Sequence, residues 1–431
     1  MNYDVIVAGA GFSGAGCALM LAQRGYRVLL LEQQARDQLG KAFSRLMLDV
    51  DTFAKTGLER PQGDELLALM DLFTAFSPSG KVRKPIDFSA LLLNGYLFQQ
   101  RLLDQALSAG VHFEQAEIRG PVSAEGCVTG VETTAGEYSA PLTIDASGNA
   151  QVLVRALVEQ RLLPFLHSQD LHSEYGVAYR LSCRSDLPPG ELQIHFCMQG
   201  GYIWHSNFDV GLGMMGREAP DLAAIRARIE ELKVRYGWDL GEIESEDWGK
   251  MSVRYPLVSL VADGFAVVGD AGFMINSVRG GGVSAGLRGA KLLAEVADEA
   301  LEERDFRHQR LWDYNLRFQQ QVGATLAYQD VMRKTLMNEP PAEMEFAFEK
   351  DIVTSEDIKC SMAGKLLEFN PLQKLQKGLR GAAHPALLMR LNHKLEAGRQ
   401  LHDHFRKYPD APAYFPAWYQ DLQQILAKVG S

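Results

Sequence analysis

A glycine-rich turn near the start of the chain constrains the fold most, because an apolar strand pattern precedes it and a helix pattern follows it. The segment reads Asp4-Val-Ile-Val-Ala-Gly-Ala-Gly-Phe-Ser-Gly14. Residues 3–8 predict a buried parallel strand, 12–24 a helix of small residues and 27–31 a second strand. The three elements together predict a complete βαβ unit of the kind that binds dinucleotides.

The side chains in this unit indicate which nucleotide it binds. Gly9 permits a tight turn, Gly11 lets the backbone approach a pyrophosphate, and Gly14 lets the helix pack closely on the strand. Phe12 and Ser13 begin the helix, where unpaired N–H groups and the helix dipole favour an anion. Glu32, which ends the second strand, can accept hydrogen bonds from both ribose hydroxyls and would repel a 2′-phosphate. The unit therefore predicts FAD or NAD, and not NADP.

Composition excludes several other classes of protein. The 431 residues suggest two to three domains, and a net charge of −10 argues against general nucleic-acid binding. The five cysteines are scattered and form no CxxC pair, so we expect no disulfide framework and no metal or iron–sulfur site. The first strand begins almost at the initiator Met, and no apolar run is long enough to span a membrane. We therefore expect a cytoplasmic protein without a signal peptide.

A second glycine-rich segment follows another buried strand, predicted at 264–270. It places Asp270 at the end of that strand, before a long helix predicted at 280–300. Three glycines, 280 to 282, precede this helix and would let backbone N–H groups approach a ligand without obstruction by side chains. The site residues predicted in this segment are Asp270, Gly280, Gly281, Gly282 and Val283.

The two glycine segments together resemble those of FAD-dependent oxidoreductases that share the p-hydroxybenzoate hydroxylase fold. The resemblance covers about residues 1–300 and is nearest to the geranylgeranyl reductase-like branch, which is related to flavin-dependent halogenases. It implies that FAD is the cofactor, that Asp270 binds its ribityl or pyrophosphate portion, and that the glycine-led helix points at the flavin pyrimidine. It also implies an arginine that contacts FAD, for which Arg101 on the predicted helix 97–109 is the nearest match.

The resemblance also implies the domain organisation. We expect an α/β protein with a Rossmann-like FAD-binding domain, an inserted antiparallel β-sheet substrate domain and a helical C-terminal region. The predicted FAD-binding domain is discontinuous, over 1–165 and 255–303. The substrate domain is predicted at 166–254 with contributions from about 43–98, and the helical region at 304–431. Within the contributing segment, the pattern of residues 63–76 predicts a helix.

Aromatic residues in the predicted substrate domain are the candidates for the walls of a reaction cavity. The segment Gly201-Tyr-Ile-Trp204 is followed by Asp209-Val-Gly-Leu-Gly213. It resembles the strand on which geranylgeranyl reductases place cavity aromatics. Tyr202, Trp204 and His205 are the cavity candidates, and core packing is an equal alternative for Tyr202 and Trp204.

These features predict an FAD-dependent enzyme that reduces or dehydrogenates a hydrophobic, unsaturated small molecule with electrons from NADPH or NADH. The flavin carries the difficult chemistry, and the protein controls access and orientation. The alternatives are, in order, a flavin monooxygenase, a halogenase, for which Lys81 or Lys84 would relay the oxidised halide, and an electron-transfer flavoprotein.

The C-terminal region contains one basic, amphipathic stretch at 371–407. It has eight basic and two acidic residues, and leucines recur along it. It could contact an acidic carrier protein or a membrane surface that presents the substrate. The other interpretation is a solvated helical cap over the flavin domain.

Overall fold

The computed structural model describes residues 3–198, 200–216 and 221–430. Their strands form two large and two small sheets. The strands are β1 (Val5–Ala8), β2 (Val28–Glu32), β3 (Leu46–Asp49), β4 (Leu66–Met70), β5 (Leu72–Phe76), β6 (Arg83–Ile86), β7 (Ala90–Leu93), β8 (His112–Gln115), β9 (Ile118–Ala124), β10 (Cys127–Thr133), β11 (Gly136–Ser139), β12 (Leu142–Asp145), β13 (Glu174–Ser185), β14 (Glu191–Met198), β15 (Gly201–Ser206), β16 (Asp209–Gly216), β17 (Leu240–Val253), β18 (Val261–Ala262) and β19 (Phe265–Val267).

Helices cover the sheets and fill most of the C-terminal region. They are α1 (Phe12–Ala22), α2 (Thr52–Thr56), α3 (Gly95–Ser108), α4 (Val152–Glu159), α5 (Leu222–Tyr236), α6 (Val283–Glu303), α7 (His308–Phe318), α8 (Ala324–Asn338), α9 (Pro341–Glu349), α10 (Ser355–Met362), α11 (Pro371–Arg380), α12 (Pro385–Arg406) and α13 (Phe415–Gly430). A π-helical turn joins α7 to α8.

The nucleotide-binding half is built on a six-stranded sheet of order β18-β19-β12-β1-β2-β8. All neighbours in it are parallel except β18 and β19. The four residues of β1 and of β12 are buried, as expected for strands that helices cover on both faces. Helix α1 packs between α3 and α6 on this sheet. The predicted α/β fold class is confirmed.

The second large sheet has seven strands in the order β17-β13-β16-β15-β14-β5-β6. Every pair is antiparallel except β14 with β5. Strands β5 and β6 come from the region before α3, and the other five lie between α4 and β18. The sheet therefore combines two distant parts of the chain, and the exact domain boundaries stay a prediction.

The helix predicted at 63–76 is wrong, because the structure has two strands there. Strand β4 pairs with β7, and β5 lies between β14 and β6. Asp71 separates the two strands, and its backbone N–H bonds to the carbonyl of Gly190. Leucine and alanine suit a helix locally, but strand partners far along the chain override that preference.

The C-terminal helices pack on both halves of the molecule. Helix α12 lies along α8, and α13 packs on α12. The buried ring of Trp312 on α7 donates a hydrogen bond to the carbonyl of Pro409 at 2.9 Å. These helices therefore complete the core and, as described below, one end of a large cavity.

Candidate functional site

The first glycine turn has the geometry that a close backbone approach requires. Gly9 has φ of +109°, and a Cβ there would overlap the backbone of Ala146 on the neighbouring strand end. A Cβ on Gly14 would overlap the carbonyl oxygen of Gly9, so α1 can lie against β1 only with glycine at this position. Gly11 differs, because a Cβ there would meet no atom of the described residues within 4 Å. The open side of Gly11 faces the cavity described below.

Glu32 is held beside this turn by backbone donors. Its carboxylate accepts hydrogen bonds from the N–H of Ala10 at 2.9 Å and of Gln34 at 3.0 Å. These bonds fix the carboxylate at the carboxyl end of β2, where the ribose of a bound dinucleotide is expected in such units.

The structure does not bring Arg101 to this site. The Arg101 guanidinium forms an ion pair with Glu65 at 2.8 Å and donates to the carbonyl of Glu59 at 3.1 Å. The side chain on α3 that reaches the glycine turn is Gln99, whose amide donates to the carbonyl of Ala10 at 2.8 Å. Two residues along a helix correspond to about 200° of rotation, so Gln99 and Arg101 occupy different faces of α3.

The second glycine segment forms a loop between β19 and α6. Asn276 organises it, because its side-chain oxygen accepts from the N–H groups of Val278 and Arg279, each at 3.2 Å. Gly280 has φ of +70°, and a Cβ on Gly282 would lie 2.7 Å from a carboxylate oxygen of Asp270. Neither α1 nor α6 has a side-chain cap, so the first N–H groups of both helices are free of such partners.

The carboxylate of Asp270 lies beside Gly282, immediately before α6, and its predicted contact with FAD stays a prediction. Burial raises its pKa from 3.8 to about 6. Ser13 of α1 packs between Gly269 and Gly286, where a Cβ on either glycine would crowd its hydroxyl. The two helices therefore meet tightly enough that their N-termini open on one space.

That space is a cavity of about 1130 Å³. It unites most of the predicted site residues but also reaches the C-terminal helices. Of the predicted residues, those that line it are Gly11, Phe12, Ser13, Asp270, Gly280, Gly281, Gly282, Val283, Tyr202 and Trp204. Gly9, Gly14 and Glu32 support the first turn from outside its wall, through the contacts given above.

Tyr202 and Trp204 form one wall by lying across a neighbouring strand. Tyr202 pairs with Gly213 and Trp204 with Gly211 in the antiparallel register of β15 and β16. A Cβ on Gly211 would overlap the Trp204 ring, and one on Gly213 would lie 3.1 Å from the Tyr202 ring. The alternating glycines therefore let both rings lie on the sheet, and burial raises the pKa of Tyr202 to about 12.

His205 faces the other side of the sheet and does not line the cavity. Successive strand residues point to opposite faces, so Tyr202 and Trp204 share a face that His205 cannot share. The His205 ring lies 4.6 Å from the ring of Trp238, and burial lowers its pKa to about 4. The prediction of His205 as a cavity residue is corrected on this ground.

Sequence reasoning missed an ion pair that connects the second glycine loop to the three-stranded sheet of β3, β7 and β4. Arg279 forms it with Asp49 of β3, and its guanidinium lies 5.3 Å from the centre of the Phe88 ring. The carbonyl of Arg279 accepts a hydrogen bond from the Tyr202 hydroxyl at 3.3 Å. Asn276, four residues before Gly280, is the one feature of the sequence from which an ordered turn could have been predicted here.

The residues present fit FAD on structural grounds. Two helix N-termini without side-chain caps open on one cavity, and Gly11 and Gly281 each leave open the space that a Cβ would fill. A pyrophosphate needs such donors and such access. The buried Asp270 carboxylate, at the start of α6, is a suitable acceptor for hydroxyl groups.

Comparison with known proteins supports FAD as the cofactor. A family model described as FAD-dependent oxidoreductase matches residues 4–44, and one described as tryptophan halogenase matches 74–213. A digeranylgeranylglycerophospholipid reductase from Sulfolobus acidocaldarius is 25% identical, over 99% of this chain and 98% of that protein.

Two solved structures share the fold. A geranylgeranyl bacteriochlorophyll reductase-like protein from Thermoplasma acidophilum has a TM-score of 0.72 at 16% identity, over 91% of this chain and 99% of that one. A flavin-dependent brominase has a TM-score of 0.63 at 15% identity, over 90% of this chain and 100% of that one.

The fold and these comparisons together define an FAD-dependent oxidoreductase. The predicted resemblance to the geranylgeranyl reductase-like branch of the p-hydroxybenzoate hydroxylase-fold superfamily is confirmed, as is its relation to the flavin-dependent halogenases. In the part of the chain that the structure describes, no helix is both long and apolar enough to cross a membrane.

Proposed function

We propose that this enzyme reduces carbon–carbon double bonds of an isoprenoid chain, with electrons that FAD receives from NADPH or NADH. The observation that carries the proposal is the continuity of the cavity, which runs from the two glycine segments to the C-terminal helices. The reductase name of the Sulfolobus relative supports the same substrate class.

The part of the cavity away from the glycine segments is lined by many apolar side chains. Its wall combines side chains from the sheets with others from the C-terminal helices, namely Met70, Phe73, Leu92, Met332, Met344, Phe348, Met362, Leu367, Leu391 and Leu395. Burial of a flexible hydrocarbon against such a surface is favoured by roughly 25 cal/mol per Å² of apolar area removed from water. A branched aliphatic chain suits this wall better than a small polar substrate does.

Different residues of the chain would bind different parts of the cofactor. The N–H groups that begin α1 and α6 would hold FAD, with Glu32 at the ribose and Asp270 near the ribityl or pyrophosphate portion. Bound FAD would supply the hydride. The helix dipole of α6 favours negative charge at its N-terminus, which is the charge that a reduced flavin carries.

Reduction of a double bond also needs a proton, and Tyr202 is our candidate donor. Tyr202 lines the cavity, and a phenol is protonated at neutral pH at its ordinary pKa of about 10. Burial raises the pKa of Tyr202 further, to about 12. Its hydrogen bond to the carbonyl of Arg279 holds it beside the second glycine loop.

The test is turnover of a geranylgeranyl lipid by the FAD-loaded protein, with NADPH, NADH or dithionite as reductant. We expect a product with two more hydrogen atoms for each double bond reduced, seen by mass spectrometry. Tyr202→Phe should lower product formation by about 100-fold while flavin reduction by the donor is unchanged. Tyr175→Phe is the matched control, because Tyr175 is not among the residues that line the cavity. No saturated product with any reductant would contradict the proposal.

A halogenase is the second candidate, because the tryptophan halogenase model matches residues 74–213, from within β5 to within β16. The two lysines predicted as a halide relay do not line the cavity. Lys81 is exposed, and Lys84 forms an ion pair with Asp351 at 2.6 Å. Oxygen-dependent bromination of an aromatic substrate would favour this candidate, whereas hydroxylation would favour the monooxygenase.

A further inference from the structure

Helix α11 exposes its apolar side rather than burying it. Leu372, Leu375 and Leu379 are 62%, 59% and 70% exposed, and none of the residues of this helix is buried. They recur at helical spacing and so form one stripe. A short helix with three large exposed leucines has an unfavourable surface in water, which indicates that something covers it.

The polar side of α11 faces the protein instead. The Lys377 ammonium points toward the protein, because it donates a hydrogen bond to the carbonyl of Ile352 at 2.6 Å and lies 4.7 Å from the centre of the Phe369 ring. Lys377 also pairs with Asp357. Lys374 and Gly378 share this side and line the cavity. The amphipathic helix is therefore fixed with its leucine stripe outward.

The cavity reaches the surface beside α11. Lys365, Lys374 and Asn392 line it and are exposed. Leu388, Leu391 and Leu395 of α12 line the same end. An apolar ligand in the cavity would thus meet the solvent next to the leucine stripe.

A fourth large apolar side chain, Met389 in the second turn of α12, is 74% exposed. We call Leu372, Leu375, Leu379 and Met389 the docking face. The sequence from 371 to 395 contains five basic residues and no acidic one, although the whole chain has a net charge of −10. Two of these cations are held in ion pairs, Lys377 with Asp357 and Arg390 with Glu339 and Glu343, whereas Lys374 and Arg380 are exposed. Exposed cations on the helix that carries the apolar face complement an anionic lipid surface.

We propose that the docking face inserts into an anionic membrane surface, so that an isoprenoid lipid passes from the bilayer into the cavity. The substrate part of this inference rests on the proposed function, but the docking itself does not. A membrane fits better than an acidic carrier protein because the protruding groups are large apolar side chains, whereas a carrier would be held mainly by the charges.

The test is sedimentation of the FAD-loaded protein with vesicles of phosphatidylglycerol and phosphatidylcholine. The variant Leu372→Ser, Leu375→Ser, Leu379→Ser should lower the partition coefficient by at least about 100-fold, given the apolar area of three leucines. The matched control is Val234→Ser, Ile243→Ser, Tyr414→Ser, which removes three large exposed side chains elsewhere and should change binding by less than about twofold.

Charge is tested separately with Arg380→Gln, which should weaken binding about fivefold on phosphatidylglycerol and not on pure phosphatidylcholine. Unchanged flavin content shows that each variant is folded. Absence of wild-type binding to anionic vesicles, or wild-type binding by the leucine variant, would overturn the proposal. Binding to an acidic acyl carrier protein without binding to vesicles would also overturn it.

The membrane-docking proposal and the proposed function can be tested independently of each other. Vesicle binding is measured without turnover, and turnover is measured on substrate dispersed in detergent. The leucine variant should keep its activity on the dispersed substrate and lose it on substrate held in vesicles. Vesicle binding with no reductase activity on either form would refute the function alone.

Discussion

Replacement of Gly11 by alanine should separate FAD binding from folding, whereas the same change at Gly14 should damage both. The two glycines lie in one turn but have different surroundings. A Cβ on Gly11 would meet none of the described atoms within 4 Å and would point into the cavity. A Cβ on Gly14 would overlap the carbonyl oxygen of Gly9, which is backbone and cannot rotate away.

The structure sets the expected magnitudes. Gly11 has φ of −64°, which alanine adopts without strain. Alanine stabilises the protein by restricting the unfolded chain, and destabilises it because alanine is a poorer helix N-cap than glycine. Each effect changes the free energy of unfolding by less than about 1 kcal/mol, and the two oppose each other. The free energy of unfolding of FAD-free Gly11→Ala should therefore change by less than about 0.5 kcal/mol. Gly14→Ala should lose about 3 kcal/mol, as overpacking against backbone requires.

The affinity for FAD should respond in a different pattern. The methyl group of Gly11→Ala would hold a pyrophosphate away from the N–H groups and remove one or two hydrogen bonds to a charged group. Each is worth about 1.5 kcal/mol or more, so the dissociation constant should rise by about tenfold to 100-fold.

Two assays on the FAD-free protein check this prediction: urea unfolding followed by tryptophan fluorescence, and titration with FAD. Gly120→Ala is the matched control, because a Cβ there also meets none of the described atoms within 4 Å but Gly120 lies outside the cavity. Wild-type FAD affinity in Gly11→Ala would refute the reasoning, as would destabilisation of that variant equal to that of Gly14→Ala.

Three further changes test other parts of the site. Gly211→Ala should push the Trp204 ring off the sheet and lower kcat/KM for a long isoprenoid about tenfold with FAD affinity unchanged, as measured by steady-state kinetics and titration. Because burial raises the pKa of Asp270 from 3.8 to about 6, the FAD-free protein loses stability as pH rises through that window. Asp270→Asn should therefore gain about 1–2 kcal/mol at neutral pH and nothing below pH 3.8, as urea unfolding at both pH values would show. Arg333→Leu should cost about 3 kcal/mol in urea unfolding, since it leaves the buried Asp330 without its closest cation.

The nucleotide-binding turn was predictable because its signals are local. The helix predicted at 12–24 is observed at Phe12–Ala22, and the strand predicted at 27–31 at Val28–Glu32. Strand, turn and helix follow one another without a gap, so periodicity and glycine spacing were enough to identify them. The predicted contacts of these residues with FAD stay a prediction.

Errors arose where distant partners decide the structure. Residues 66–76 form strands because β7, β14 and β6 pair with them, and none of these partners is visible in the local pattern. The face of α3 that meets the glycine turn depends on helix phase, which selects Gln99 over Arg101. For His205 a signal existed, because strand alternation alone separates it from Tyr202 and Trp204.

The C-terminal region shows the same limit. Its helices were predictable from their pattern, but their contribution to the cavity wall was not, since Met332 and Leu395 lie far along the chain from the flavin segments. The amphipathic character of 371–407 was visible in the sequence. Only packing shows that the leucines of α11 point outward.

Anaerobic single-turnover mixing tests the central claim most directly. The FAD-loaded protein is reduced with dithionite, freed of excess reductant and mixed with a geranylgeranyl lipid in oxygen-free buffer while flavin absorbance is followed. A reductase should recover the oxidised flavin spectrum and form one saturated bond for each flavin. A flavin that stays reduced until oxygen is admitted, with product that gains oxygen or halogen instead of hydrogen, would contradict the account.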